Sequence, residues 1–247
     1  MNFFSLFKRN LIFKFKKKIS IDNDNILSES LDYLFHKYGS DKANIFKPNQ
    51  QTGHGYSIYY EKKLETYKNE NLNILEIGSY AGASAAAFTK YLPKSKVYCF
   101  DVNISNFKYK SKNINVYGID INNQKKVIKT LNKIFLGQNF NQFDLIIDDG
   151  SHNLSDILMS LKIFFKYVSN KGLYIIEDYK HPNYYKYNRN IDHLLVDQIF
   201  KSLNSKRSFN SNIFNDDDQK ELIKSIKKIE TFKGNLNDSH ISFITKS

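Results

Sequence analysis

From residue 72 onward the apolar positions fall in short runs, and longer amphipathic stretches separate them. Asn73-Ile74-Leu75-Glu76-Ile77 has the pattern of a buried strand that runs into a glycine turn, and Ala83–Leu92 follows as a helix. Lys96–Phe100 predicts a second strand ending at Asp101, and Ile114–Tyr117 a third, with a helix over about 123–135. Phe143–Ile147 predicts a fourth strand, a helix covers about 153–168, and Gly172–Ile176 is the fifth strand. Short apolar strands alternating with helices of ten or more residues indicate a parallel, doubly wound α/β sheet. The tail differs. Helices near 191–204 (Ile191, Leu194, Leu195 and Ile199 at helical spacing) and 218–227 precede Ile229–Phe232 and Ile241–Thr245. Those last two runs flank a turn containing Gly234-Asn235. They predict an antiparallel hairpin that closes one edge of a mostly parallel, seven-stranded sheet.

Ahead of the sheet, residues 26–38 read as a short helix, 39–56 as a polar loop and 57–68 as a second helix. Three segments follow from this: a basic aromatic extension over 1–25, a helical or lid segment over 26–70, and the sheet domain over 71–247. In residues 1–20, Phe3, Phe4, Leu6, Phe7, Leu11, Ile12, Phe13 and Phe15 interleave with six basic residues and no acid. There is no long apolar run with a small-residue cleavage site, as a secretory signal requires. No segment approaches the ~20 apolar residues of a membrane span. A basic, aromatic helix of this kind either lies on an anionic membrane face or docks on a partner.

Composition changes the picture only slightly. The net charge of +12 raises nucleic-acid binding, but three of the 37 basic residues are arginine, and base and phosphate readers rely on the arginine fork. Nucleic acid is therefore not the expected partner. Cys99 is the single cysteine, which excludes an internal disulfide and a cysteine zinc site and suits a reducing cytoplasm. It lies in a strand pattern and reads as a buried hydrophobe.

The first strand delivers Glu76-Ile77-Gly78-Ser79-Tyr80-Ala81-Gly82 to a helix N-terminus. Such a turn lets backbone approach a ligand and offers unpaired N–H donors. Tyr80 occupies the second glycine of a dinucleotide fingerprint, so NAD is disfavoured. Asp101 lies 23 residues after Gly78, a spacing at which an acid bonds ribose hydroxyls. Asp120 closes the third strand, where an adenine contact is expected. The competing readings are plain turn chemistry for Gly78 and Gly82 and a helix cap for Asp101.

Ligands of open α/β sheets bind beyond the carboxyl ends of the strands. Strand four ends in Asp148-Asp149-Gly150-Ser151-His152 and strand five in Glu177-Asp178. Four adjacent carboxylates repel unless a cation lies among them, and Mg²⁺ accepts oxygen ligands while keeping positions for water or substrate. His152, three residues past Asp149, has the chemistry of a general base near neutral pH. A metal-polarised hydroxyl that loses its proton to His152 would become a nucleophile.

The segment Glu76-x-Gly78-x-x-x-Gly82, with the closing hairpin, resembles the first motif and architecture of class I S-adenosylmethionine-dependent methyltransferases. Ile147–His152 followed by Glu177-Asp178, with Ser40-Asp41-Lys42 and His54-Gly55-Tyr56 upstream, is similar to the macrocin- and mycinamicin-type sugar O-methyltransferases. The likeness runs from about residue 33 to about 190. It implies S-adenosylmethionine bound at Glu76, Gly78, Gly82, Asp101 and Asp120. It further implies Mg²⁺ or another divalent cation on Asp149, Glu177 and Asp178, with His152 as base; Asp148 inherits no ligand role. It also implies a homo-oligomer and a cytoplasmic enzyme, to which the N-terminus would add a peripheral contact at the inner membrane face. The expected substrate is a sugar, free, nucleotide-linked or lipid-linked, in surface-glycan or glycosylated natural-product synthesis. His54 and Tyr56 are expected at a lid over the substrate. The sequence departs from the family after strand five, where Tyr179, His181, Tyr184, Tyr185 and Tyr187 replace a tryptophan-containing segment. Tyr184 is expected to stack on the sugar. Two other readings keep part of this pattern: a metal-dependent phenol or catechol methyltransferase, and a non-catalytic nucleotide- or glycan-binding module.

Overall fold

The computed structural model describes residues 3–24 and 29–247. Its centre is a seven-stranded sheet built from β1 (Asn73–Ile77), β2 (Lys96–Asp101), β3 (Ile114–Gly118), β4 (Phe143–Asp148), β5 (Val168–Glu177), β6 (Ile226–Lys233) and β7 (His240–Lys246). The spatial order is β6-β7-β5-β4-β1-β2-β3. The β3-to-β5 block is parallel, and β7 runs antiparallel to both β5 and β6. The strand order reverses between β1 and β4, the position at which doubly wound sheets open a crevice.

The eight α-helices among the described residues are α1 (Phe3–Phe15), α2 (Leu31–Tyr38), α3 (Ser57–Leu64), α4 (Ala83–Tyr91), α5 (Gln124–Gln138), α6 (Leu154–Phe164), α7 (Val196–Asn204) and α8 (Asp216–Ser225). Period-2 alternation divides the strand side chains between two faces. Leu75, Tyr98, Ile146, Tyr174 and Ile244 pack with α5, α6 and α7 in one buried cluster. Ile74, Cys99, Ile147, Ile175 and Phe243 pack with α2, α3 and α4 in the other. α4 is rich in small residues (Ala-Ser-Ala-Ala-Ala), which lets α2 lie close above it.

Positions 26–28 of the first expected helix lie outside the described residues, and α2 begins at Leu31, capped by Ser30. The helix expected over 191–204 begins only at Val196. Asn190 has φ +67°, and the Asp192 carboxylate accepts from the backbone N–H groups of His193 and Asn212. That side-chain turn competes with helix and holds 191–195 as an irregular segment. Among the described residues no helix is long and apolar enough to cross a membrane.

Candidate active site

The turn after β1 is built for close approach. Gly78 has φ +86°, and a Cβ there would lie 1.8 Å from the carbonyl oxygen of Asp149. Gly82 has φ +76°, and its Cβ would meet the Phe107 ring at 2.4 Å. Both positions combine a left-handed backbone with no room for a side chain, so turn geometry and packing demand glycine. Tyr80 between them also takes positive φ, at +39°. The Asp101 carboxylate secures this turn by accepting from the Tyr80 N–H at 2.7 Å, and it also accepts from the Asn103 N–H.

Gly78, Asp101 and Asp120 line one cleft of about 700 Å³, and Asp149, Gly150 and His152 close its other end. Three of the five residues expected at the cofactor, Gly78, Asp101 and Asp120, therefore line one cleft, and Gly82 is the N-cap of α4 at the end of the same turn. Glu76 is the exception. It is fully buried beneath the turn, accepts from the Ser84 hydroxyl, and burial raises its carboxyl above the usual range. It supports the turn from below instead of lining the cleft.

Alternation along the strands sorts the acids. Glu76, Asp149 and Glu177 continue the face that packs on α2 and α3, whereas Asp148 falls on the opposite face. There Asp148 lies near the Tyr174 hydroxyl (3.4 Å), and burial pushes its carboxyl up to about 7. The first face contains a residue to which the sequence motif Ser40-Asp41-Lys42 assigns no role. Lys42 comes from the loop between α2 and α3, and its side chain is 2% exposed. Its ammonium pairs with Asp149 and donates to Glu177 Oε2 at 2.7 Å. Burial alone would lower the lysine; Asp149 and Glu177 override it and raise it well above its ordinary value. Burial lifts both carboxyls, Glu177 to about 8, against the pull of the same ammonium. The cation that the four acids require is therefore supplied in part by the chain itself.

Glu177, expected as a third ligand, already has protein contacts. Glu177 Oε1 accepts from the Tyr60 hydroxyl at 2.6 Å and Oε2 from Lys42, so both oxygens of this buried carboxylate already have protein donors. The group that converges is instead Asp149, His152 and Asp178, with one ligand atom from each within 4.8 Å of the others. His152 Nε2 is 3.6 Å from Asp149 Oδ1 and 3.9 Å from Asp178 Oδ2. The two carboxylates offer oxygen donors that a divalent cation fits, and His152 Nε2 lies within reach of both. His152 and Asp178 both have positive φ, at +55° and +50°. Left-handed backbone is costly for such residues and is concentrated where geometry serves a site.

Asp178 is held from behind. Tyr56 donates its hydroxyl to Asp178 Oδ1, and His54 Nδ1 lies 3.4 Å from the same oxygen and 2.7 Å from Ser239 Oγ. Burial alone would raise Asp178; His54, His152 and Tyr56 together keep it below the usual carboxylate range. Burial would lower His54, but the Asp178 contact dominates and lifts it to about 9. The expectation that Tyr56 touches substrate is corrected, because the side chain is fully buried and spends its hydroxyl on Asp178. His54, stacked on Tyr56 at 5.2 Å, shares that positioning role. Tyr184 remains exposed, and its hydroxyl donates to the Asn237 carbonyl at 2.9 Å, outside the cleft lining.

No family model matches the chain. Among characterised proteins it is 25% identical over 147 residues to mycinamicin VI 2''-O-methyltransferase of Micromonospora griseorubida, across 55% of this chain and 34% of that protein. It is 26% identical over 143 residues to demethylmacrocin O-methyltransferase of Streptomyces fradiae, across 55% and 34%. The chain thus aligns with about a third of the length of these relatives. Among solved structures, MycE methyltransferase from the mycinamycin pathway, in complex with Mg, SAH and mycinamycin VI, superposes with a TM-score of 0.68 at 19% identity. The match covers 89% of this chain and 55% of that one. The fold is that of the class I methyltransferases, and the sequence is similar to the macrocin and mycinamicin type.

Proposed function

We propose that this protein is a divalent-metal-dependent O-methyltransferase that moves a methyl group from S-adenosylmethionine to a sugar hydroxyl. The observation that carries the reading is the single continuous cleft. One end has the glycine turn and the acids at the ends of β2 and β3; the other has Asp149 and His152, with Asp178 beside them. The named activities of the similar proteins support the same reaction class.

S-adenosylmethionine would supply the methyl group, held by the Gly78 turn and the α4 N-terminus, with Asp101 at the ribose and Asp120 at the adenine. A divalent cation such as Mg²⁺, held by Asp149 and Asp178, would supply positive charge that lowers the pKa of an acceptor hydroxyl. The chain's own residues do the rest. His152 accepts the hydroxyl proton at Nε2, where Asp149 and Asp178 stabilise the imidazolium that forms. Tyr56 and His54 fix Asp178, and Lys42 with Tyr60 fixes Glu177 and Asp149, so the carboxylates are in place before substrate arrives. Surface-glycan or glycosylated natural-product synthesis is the setting in which an unactivated sugar alcohol needs this help.

The test is incubation with S-adenosylmethionine, Mg²⁺ and a panel of nucleotide-sugars and glycosides, read by mass spectrometry for the gain of one methylene. EDTA should abolish the gain and added Mg²⁺ restore it. Failure to bind S-adenosylmethionine in calorimetry would overturn the reading, and full activity in EDTA would remove the metal from it.

A further inference from the structure

α1 contains two opposed apolar faces, and the fold uses one of them. Leu6 is buried, Asn10 Nδ2 donates to the Gly118 carbonyl at 3.3 Å, and Phe13 meets Phe107 edge-on at 6.2 Å. The seat is specific, since a Cβ on Gly118 would lie 1.6 Å from Asn10 Oδ1. Lys16 fastens the C-terminal end by donating to the carbonyls of Ser105 and Asn106 at 2.9 and 3.1 Å. The opposite face is a second stripe at helical spacing. Phe7, Leu11 and Phe15 are 59%, 46% and 78% exposed. At 100° per residue these three positions cluster on a side of the helix away from Leu6, Asn10 and Phe13. Exposed Lys8 and Lys14 flank the stripe, exposed Lys17 follows it, and the helix contains no acid.

We infer that the outer face of α1 is a docking surface for an anionic lipid bilayer. Large aromatics framed by lysines suit the headgroup boundary, where rings enter the acyl region and ammonium groups meet phosphates. Charge selects between the two apolar occupants. A second copy of this chain would bring Lys8, Lys14 and Lys17 against their own kind with no acid on α1 to receive them, whereas an anionic lipid supplies the missing charge. The surface has a defined orientation, because Asn106, whose carbonyl helps anchor α1, also lines the cleft beside Val102 and Asn103. Docking therefore sets the cleft beside the lipid surface. This surface stands apart from the methyl-transfer reading and does not depend on it.

The experiment is co-flotation of the full chain with vesicles of phosphatidylethanolamine and phosphatidylglycerol, or of phosphatidylcholine alone, at low and high salt and without cofactor. The wild type should float with the anionic vesicles, weakly with the neutral ones, and less at high salt as screening grows. The double variant Phe7→Glu/Leu11→Glu should lower the bound fraction at least about tenfold. Its thermal midpoint should not move, because both side chains are exposed. Absence of wild-type binding, or equal binding by the variant, overturns the inference. So does a dimer in analytical ultracentrifugation that the same variant dissociates, since the stripe would then join two copies.

Discussion

Replacing Lys42 by methionine keeps most of the side-chain volume and removes its charge. The ammonium is buried and contacts both Asp149 and Glu177, so the variant leaves two carboxylates in a poorly solvated pocket. Breaking a buried ion pair by removing one partner costs about 3–5 kcal/mol. For a chain of this size each kcal/mol moves the melting midpoint by roughly 2–4 °C, so a fall of about 10 °C is expected near neutral pH. The pH dependence gives a sharper signature. Both carboxyls already lie above their ordinary values in the folded protein, Glu177 at about 8. A carboxyl raised in the folded state contributes stability that is complete below its unfolded pKa and is lost as pH rises through the folded one. Without Lys42 the folded values rise further, so the loss continues to higher pH than in the wild type. The deficit of Lys42→Met should therefore be larger at pH ~9 than at pH ~6, as linkage requires. Urea denaturation followed by circular dichroism at both values measures it. Adding Glu177→Gln should recover part of the loss, because one of the stranded charges is then gone. A deficit below about 1 kcal/mol, or one that shrinks as pH rises, would refute the assignment of Lys42 as the buried counter-charge.

Four further outcomes are expected. His152→Ala should bind S-adenosylmethionine in calorimetry as the wild type does and lose at least ~100-fold in turnover, the scale of a missing general base. Gly78→Ala should destabilise the fold by at least ~2 kcal/mol and weaken cofactor binding, since a Cβ there has neither the backbone region nor the space. His54, raised to about 9 in the fold, contributes stability that is complete below its unfolded value and lost as pH climbs through about 9. His54→Gln should flatten that part of the urea-stability profile by up to ~3 kcal/mol. Tyr56→Phe should raise the apparent Kd for Mn²⁺ several-fold with little change in S-adenosylmethionine affinity, because its hydroxyl holds Asp178 and touches nothing in the cleft.

The sheet was legible because its signal is local. Five apolar runs, each ending in a turn or an acid, lie where β1 to β5 form, and the two final runs became the β6–β7 hairpin with slightly longer bounds. The acidic strand ends were legible for the same reason: Asp149, His152 and Asp178 follow apolar runs directly. Their neutralisation was not. Lys42 sits in an ordinary polar stretch of a lysine-rich chain, and nothing local separates a buried lysine from an exposed one. Its burial is decided by carboxylates more than a hundred residues away. Period 2 along the strands carries part of this information. It assigns Glu76, Asp149 and Glu177 to one face and Asp148 to the other, which predicts both the buried charge cluster and the separate fate of Asp148. The burial of Tyr56 is not legible, because a tyrosine near a histidine in a polar loop carries no mark of it; only α3 packing against the sheet provides one.

Lys42 is made long before its partners. The chain separations to Asp149 and Glu177 are 107 and 135 residues, so on a ribosome the ammonium waits until β4 and then β5 have left the exit tunnel. Domains synthesised from the N-terminus can begin folding early, and α2 and α3 can pack on α4 before the acids exist, but the Lys42 ammonium has no counter-charge until they arrive. The segment carrying Lys42 is therefore a late-closing clasp, and completion of the acid cluster coincides with completion of the parallel sheet. A chain truncated before residue 177 should leave the Lys42 amine open to acylating reagents, and the full chain, in which that side chain is 2% exposed, should not.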